Sequence, residues 1–384
     1  MINRFILNEV SYFGPGSRSV LPDEIKRMGL KRAFVVTDKD LVKFGVVEKV
    51  LTILKEANIP FEVFSEIKQN PTVTNVKEGV AAYAISGADF ILAIGGGSSI
   101  DTAKAIGIIT NNPDFGDVVS LEGVAPTKRK SVPVIALPTT AGTAAEVTIN
   151  YVITDEVNQK KMVCVDPNDI PAVAIVDAEL MYTLSKSLTA ATGLDALTHA
   201  IEGLITKGAW EMSDMFEIKA IEMINRYLET AVFEPNNAEA RNGMAVAQYI
   251  AGMAFSNVGL GLVHGMAHPL GAIFDIPHGV ANAMLLPTVM EFNASAAIEK
   301  YEIIAKAMDV YCAGKSKEEN AQAAITAVKE LAVRVGIPEH LSEFGIQEKD
   351  LDKLAGSAVN DVCTPGNPKE VSKEIIIELY KKIL

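Results

Sequence analysis

Apolar residues follow two rhythms along this chain, and the change comes near its midpoint. Up to about residue 180, short continuous apolar runs alternate with stretches of helical period. RAFVVTD, FEVFSEI, DFILAIG, SVPVIALP and PAVAIVD read as strands, whereas LVKFGVVEKVLTILKEA, TVTNVKEGVAAYAISG and SSIDTAKAIGIIT read as helices. The opening ILNEVSYFGPGSR alternates until the Phe13-Gly14-Pro15-Gly16 turn, as a strand does before a loop. NYVITDEVNQKKMVCVD reads as a hairpin with Lys161 near its return strand, and hairpin lysines are commonly solvated. Strands without polar interruption, each followed by a helix, predict a parallel sheet covered on both faces. From Leu188 onward the period is helical nearly throughout, with Gly, Asn and Pro as punctuation. The expected architecture is an α/β domain over residues 1–184 followed by an all-helical domain over 185–384, with catalysis in the cleft between them.

Composition narrows the partners. A net charge of −13 and a pI near 5.0 argue against nucleic acid or an anionic membrane surface, and leave a small molecule as the partner. Three widely spaced cysteines make no disulfide framework, which fits a reducing cytoplasm. The N-terminal stretch lacks the basic and apolar regions of a secretory signal, and no apolar run is long enough to span a bilayer.

The candidate chemistry is concentrated in the second half. Of five histidines, His199, His264, His268 and His278 lie in one window. Asp195 and His199 are four apart in GLDALTHAIEG, so one helical face carries both. His264 and His268 repeat that spacing in GLVHGMAHPLG, and Pro277-His278-Gly279 adds an imidazole on a turn. A carboxylate and imidazoles on converging helices, among small residues that let helices approach, predict a divalent transition-metal site. Spacing alone does not separate His268 from the ligands.

The first half offers a nucleotide site. Gly95-Gly96-Gly97-Ser98 joins a strand to a helix, where backbone N–H groups and the helix N-terminus favour a phosphate. The same residues also read as a tight turn, with Ser98 capping the helix and Asp101 as its capping-box partner. Asp38 ends the first apolar strand and suits an adenosine ribose, or else an ordinary helix cap. Thr139, Thr140 and Thr143 are possible donors to phosphate or ribose, and equally possible turn formers.

Together, GGGSSID, PTTAGTAAEVT, GLDALTHAIE and GLVHGMAHPLGAIFDIPHG, in this order, resemble the iron-dependent (group III) alcohol dehydrogenase family over essentially the whole chain. The resemblance implies a Rossmann-like nucleotide domain and a helical metal domain in the dehydroquinate synthase-like arrangement. It implies Fe²⁺ on Asp195, His199, His264 and His278, with zinc a possible occupant, and His268 beside the nicotinamide. It further implies an NAD(H) site lined by Asp38, Asn70, Gly96, Gly97, Ser98, Ser99, Asp101, Thr139, Thr140, Thr148, Asn150 and Lys161. Phe255 and Cys363 match positions near a small aldehyde, alcohol or diol substrate, and close members are commonly homodimers. A metal-dependent hydrolase would use the same His/Asp set without any need for GGGSSID or PTTAGT.

Overall fold

Alternation within the strands accounts for the larger sheet. In the computed structural model, which describes residues 2–384, β1 (Val10–Phe13), β2 (Ala33–Val36), β3 (Phe61–Phe64), β4 (Phe90–Gly95), β6 (Val134–Pro138) and β9 (Val173–Val176) form a parallel sheet. Its order is β1-β9-β6-β4-β2-β3. Val35, Leu92, Leu137 and Ile175 point into one apolar cluster with Leu21, Val50 and Leu54; Phe34, Ile91, Ala93 and Val134 point into another with Ile100 and Ile106. Both faces are therefore covered. α1 (Leu21–Arg27), α2 (Lys39–Lys43) and α3 (Glu48–Glu56) come early in the chain, and α4 (Val73–Ser86) and α5 (Gly97–Asn111) follow. The four inner strands β2, β4, β6 and β9 are buried along their length, while β1 and β3 at the edges are partly exposed.

Three local expectations are corrected. LVKFGVVEKVLTILKEA forms two helices, α2 and α3, because Gly45 takes a left-handed φ of 73° between them. Asp38 caps the first, its side chain accepting from Leu41 N–H at 2.9 Å. Ser98 does not cap α5: the N-cap is Gly96 with no side-chain hydrogen bond, Ser98 Oγ donates to the Gln69 carbonyl, and Asp101 accepts from Val152 N–H. Lys161 is not a solvated hairpin lysine. The hairpin of β7 (Asn150–Asp155) and β8 (Lys160–Val165), extended by the short β5 (Gly123–Val124), packs against α5 and buries it.

The helical half contains α6 (Lys186–Ile205), α7 (Glu211–Phe233), α8 (Ala238–Val258), α9 (Leu262–Phe274), α10 (His278–Asn293), α11 (Ile298–Ala307), α12 (Lys317–Arg334), α13 (Leu351–Val359) and α14 (Lys373–Lys381). Nearly all of α6 is buried, packed against α7, α8 and α10. Two compact units result: the described residues up to Thr140 with Ala144–Thr183, and Ala141–Thr143 with Leu184–Leu384. Among the described residues no single helix is long and apolar enough to cross a membrane.

Candidate metal centre and cofactor residues

Ser185 opens α6 by accepting from Leu188 N–H, and the helix then runs unbroken through Asp195, His199 and Glu202. These three lie at i, i+4 and i+7 on one face. α9 supplies His264 and His268, and α10 begins at His278. That last imidazole is thus the first residue of a helix rather than part of a turn. α10 reaches α6 because residue 279 is glycine. A Cβ there would strike the Ala191 carbonyl, lying 2.8 Å from its carbon and 3.3 Å from Asp195 Cβ.

One ligand atom each from Asp195, His199, His264 and His278 lies within 4.8 Å of the others; the first three residues are buried and His278 is partly exposed. His278 Nε2 is 3.7 Å from Asp195 Oδ1. One carboxylate oxygen and three imidazole nitrogens suit a divalent transition metal, and three neutral rings with one anion leave such an ion a net positive charge. Burial, reinforced by the neighbouring His264 and His268, holds the His199 imidazole well below its usual pKa, so it stays a neutral donor. Its ring stacks on His264 at 4.7 Å and on Phe255 at 4.1 Å between centroids. Phe255 therefore lies flat against the His199 ring.

Two supporting residues escaped the sequence reading. Glu202 Oε2 lies 2.6 Å from His264 Nδ1 while Oε1 accepts from Val263 N–H at 2.7 Å. A carboxylate at Nδ1 makes that nitrogen the protonated one and turns the Nε2 lone pair toward the ligand cluster. The same carboxylate supplies the side-chain acceptor that the uncapped start of α9 lacks. The signal was present: GLDALTHAIEG puts a buried acid on the ligand face one turn past His199. Asn282 is the second. It stands four residues after His278 on α10, and its Nδ2 donates to Asp195 Oδ1 at 2.7 Å and lies 3.1 Å from both His264 Nε2 and His278 Nε2.

His268 is separate from that cluster. Its Nδ1 lies 2.8 Å from Asp361 Oδ2, and its ring stacks on His278 at 5.6 Å between centroids. Asp361 also accepts from Cys363 N–H at 2.9 Å. Burial works to raise the Asp361 carboxyl, but His268 and these hydrogen bonds outweigh it and hold its pKa below the usual range. Burial, and then Asp361, push the Cys363 thiol well up, so it is not a ready nucleophile. Asp361 had no sequence signal, because its partner lies 93 residues away.

The candidate cofactor residues divide. Gly96 and Gly97 begin a helix of 15 residues whose first amides meet no side-chain cap, and Gly95, at φ 159°, has a conformation that suits glycine. This is a backbone geometry that accommodates a phosphate. A Cβ on Gly95 would strike Ser99 Oγ, and one on Gly96 would lie a tight 3.2 Å from Thr140. Lys161 Nζ donates to Asn70 Oδ1 at 2.9 Å, joining two of the residues singled out. Asp101 is pushed up to about 6, chiefly by burial, with Lys104 and Lys161 opposing. Thr148 faces elsewhere. Its hydroxyl and carbonyl, with the Asn150 carbonyl, receive the buried Lys104 ammonium. Thr139 and Ser99 are buried, whereas Thr140 and Thr143 are partly exposed, and Thr143 groups with the helical unit.

Known proteins give the same picture. The sequence profile of the iron-containing alcohol dehydrogenases matches residues 8–178, and that of the C-terminal part of the Fe-containing alcohol dehydrogenase family matches residues 189–384. The chain is 56% identical over 380 residues to the lactaldehyde reductase of Escherichia coli K12, covering 99% of each. It is 41% identical to the 1,3-propanediol dehydrogenase of Citrobacter freundii, covering 98% of each. A crystal structure of a 1,3-propanediol oxidoreductase superposes with a TM-score of 0.97 at 40% identity, covering 100% of both chains. With both halves matched and the fold shared end to end, the chain belongs to the iron-containing alcohol dehydrogenase family.

Proposed function

We propose that this enzyme interconverts lactaldehyde and 1,2-propanediol with NAD(H) at a ferrous site. The 56% identity to a lactaldehyde reductase, along nearly the full length of both chains, carries this reading of the substrate. The relatives named for 1,3-propanediol stand at 41% and 40%, which makes that diol, or butanol, the second reading. We assign Asp195, His199, His264 and His278 as the ligands, and Gly96, Gly97, Asp38, Asn70 and Lys161 to the cofactor. The absence of a disulfide framework supports a cytoplasmic location, which cell fractionation checks.

In the reductive direction bound NADH would supply the hydride for the carbonyl carbon, and the carbonyl oxygen would take a proton, giving the alcohol and NAD⁺. Asp195, His199, His264 and His278 would hold a divalent ion, which would supply Lewis-acid polarisation and exchange no electrons. The chain does the rest. Glu202 fixes the tautomer of His264, and burial keeps the His199 ring neutral. His268, anchored through Nδ1 by Asp361, presents Nε2 as the atom that gives or takes the proton. Asp38 excludes a 2′-phosphate by like charge.

The test is NADH oxidation with lactaldehyde, butanal and 3-hydroxypropanal after reconstitution with Fe²⁺ under argon. Lactaldehyde should give the highest kcat/KM, with NADH preferred to NADPH. Asp38→Gly should improve NADPH use at a stability cost of only a few tenths of a kcal/mol, because Gly is tolerated at an N-cap. Butanal ahead of lactaldehyde overturns the substrate reading. Equal use of NADPH by the unaltered enzyme overturns the placement of Asp38.

A further inference from the structure

We propose that His268, Asp361 and Cys363 form a second divalent-cation site, selective for thiophilic ions of the zinc and cadmium class. A ring nitrogen of His268, a carboxylate oxygen of Asp361 and the Cys363 sulfur lie within 4.8 Å of one another. Ligands on a tetrahedral zinc lie roughly 2.0–2.3 Å from the metal, so the edges between them are about 3.3–3.8 Å. The His268 Nδ1–Asp361 Oδ2 pair, hydrogen-bonded at 2.8 Å, is closer than such an edge and would open by about 0.5–1 Å to admit the ion. The segment that carries it is held in place. Asp361 accepts from Cys363 N–H, and Thr364 Oγ donates to the Ala358 carbonyl at 2.6 Å. His268 is buried and Asp361 nearly so, while Cys363 is partly exposed.

The donor set differs in kind from the first one. Asp195, His199, His264 and His278 offer nitrogen and oxygen only, whereas this triad adds sulfur, the ligand that favours zinc and cadmium over magnesium and calcium. Binding forms a metal–sulfur bond, breaks the S–H bond and releases that proton to solvent, with no change of oxidation state. It also takes the His268 Nδ1 that Asp361 holds in the free enzyme. Inhibition of aldehyde reduction follows from occupancy, and this consequence rests on the proton-transfer role proposed for His268.

Cadmium is the probe, because its thiolate charge-transfer band in the ultraviolet reports sulfur ligation alone. Cys312→Ser protein, used to remove the exposed thiol, is first loaded with one Cd²⁺ per chain and then titrated with more under argon. The expected result is no band at the first equivalent and a saturable band at the second. Adding Cys363→Ser should abolish the band, and Asp361→Asn, which keeps the thiol, should weaken the second affinity at least tenfold. Circular dichroism of each variant separates a lost site from a lost fold. Absence of the band in folded Cys312→Ser protein, or its persistence in Cys363→Ser, overturns the proposal. A band without inhibition of NADH oxidation upholds the site and removes the role assigned to His268.

Discussion

Glu202 links the start of a helix to the orientation of a ligand. Buried beside His264, it satisfies an otherwise uncapped amide of α9 and fixes which imidazole nitrogen faces the ligand cluster. Glu202→Leu fills the space but removes both acceptors. Metal affinity should fall about 10–100-fold, the usual effect of losing a partner behind a ligating histidine. The stranded Val263 N–H should cost about 1–3 kcal/mol in the metal-free protein. Chelator competition and urea unfolding measure the two, and unchanged affinity would show that His264 needs no such partner. At this scale the sequence was legible where partners share a helix face. Asp195, His199 and His264 could be picked out from spacing, and Glu202 was available in the same pattern. Asn282 and Asp361 were not, since each acts on residues brought together only by folding.

Helices approach closely enough to converge their side chains only where a small residue lets them. Gly279 places α10 against the Ala191 carbonyl of α6, and thereby sets His278 beside Asp195. Gly279→Ala should push the two helices apart. The cost should be about 1–3 kcal/mol of stability, as for other overpacked contacts, with a loss of metal affinity out of proportion to that change. Thermal unfolding and metal titration of the variant check both, and an alanine accommodated with full affinity would mean the approach is looser than it looks. Periodicity gave the strands and most helices directly, because the four inner strands are apolar on both faces and most helices keep a helical apolar period. It failed where a period ran through a stop. The amphipathic pattern from Leu41 to Ala57 hid the break at Gly45, and the two-residue β5 was too short to leave a pattern. The burial of Lys161 was invisible for a different reason, since it depends on the hairpin packing against α5.

Taken whole, the molecule ends its parallel sheet on β1, which pairs with β9 along one side only. An outer strand offers one side to pairing with another chain. We therefore expect a homodimer in which the edge around Val10–Phe13 contributes to pairing, with a complete ligand set in each chain. Light scattering at micromolar concentration should give the dimer mass, and a fully active monomer would exclude it. The division of labour between ligands and His268 is the central claim, and metal content measured alongside rate in two variants tests it most directly. His278→Ala should lose bound iron and activity together. His268→Ala should retain iron at the unaltered level while the rate falls about 100-fold or more, as for loss of a general acid. Equal loss of iron in both variants would contradict it.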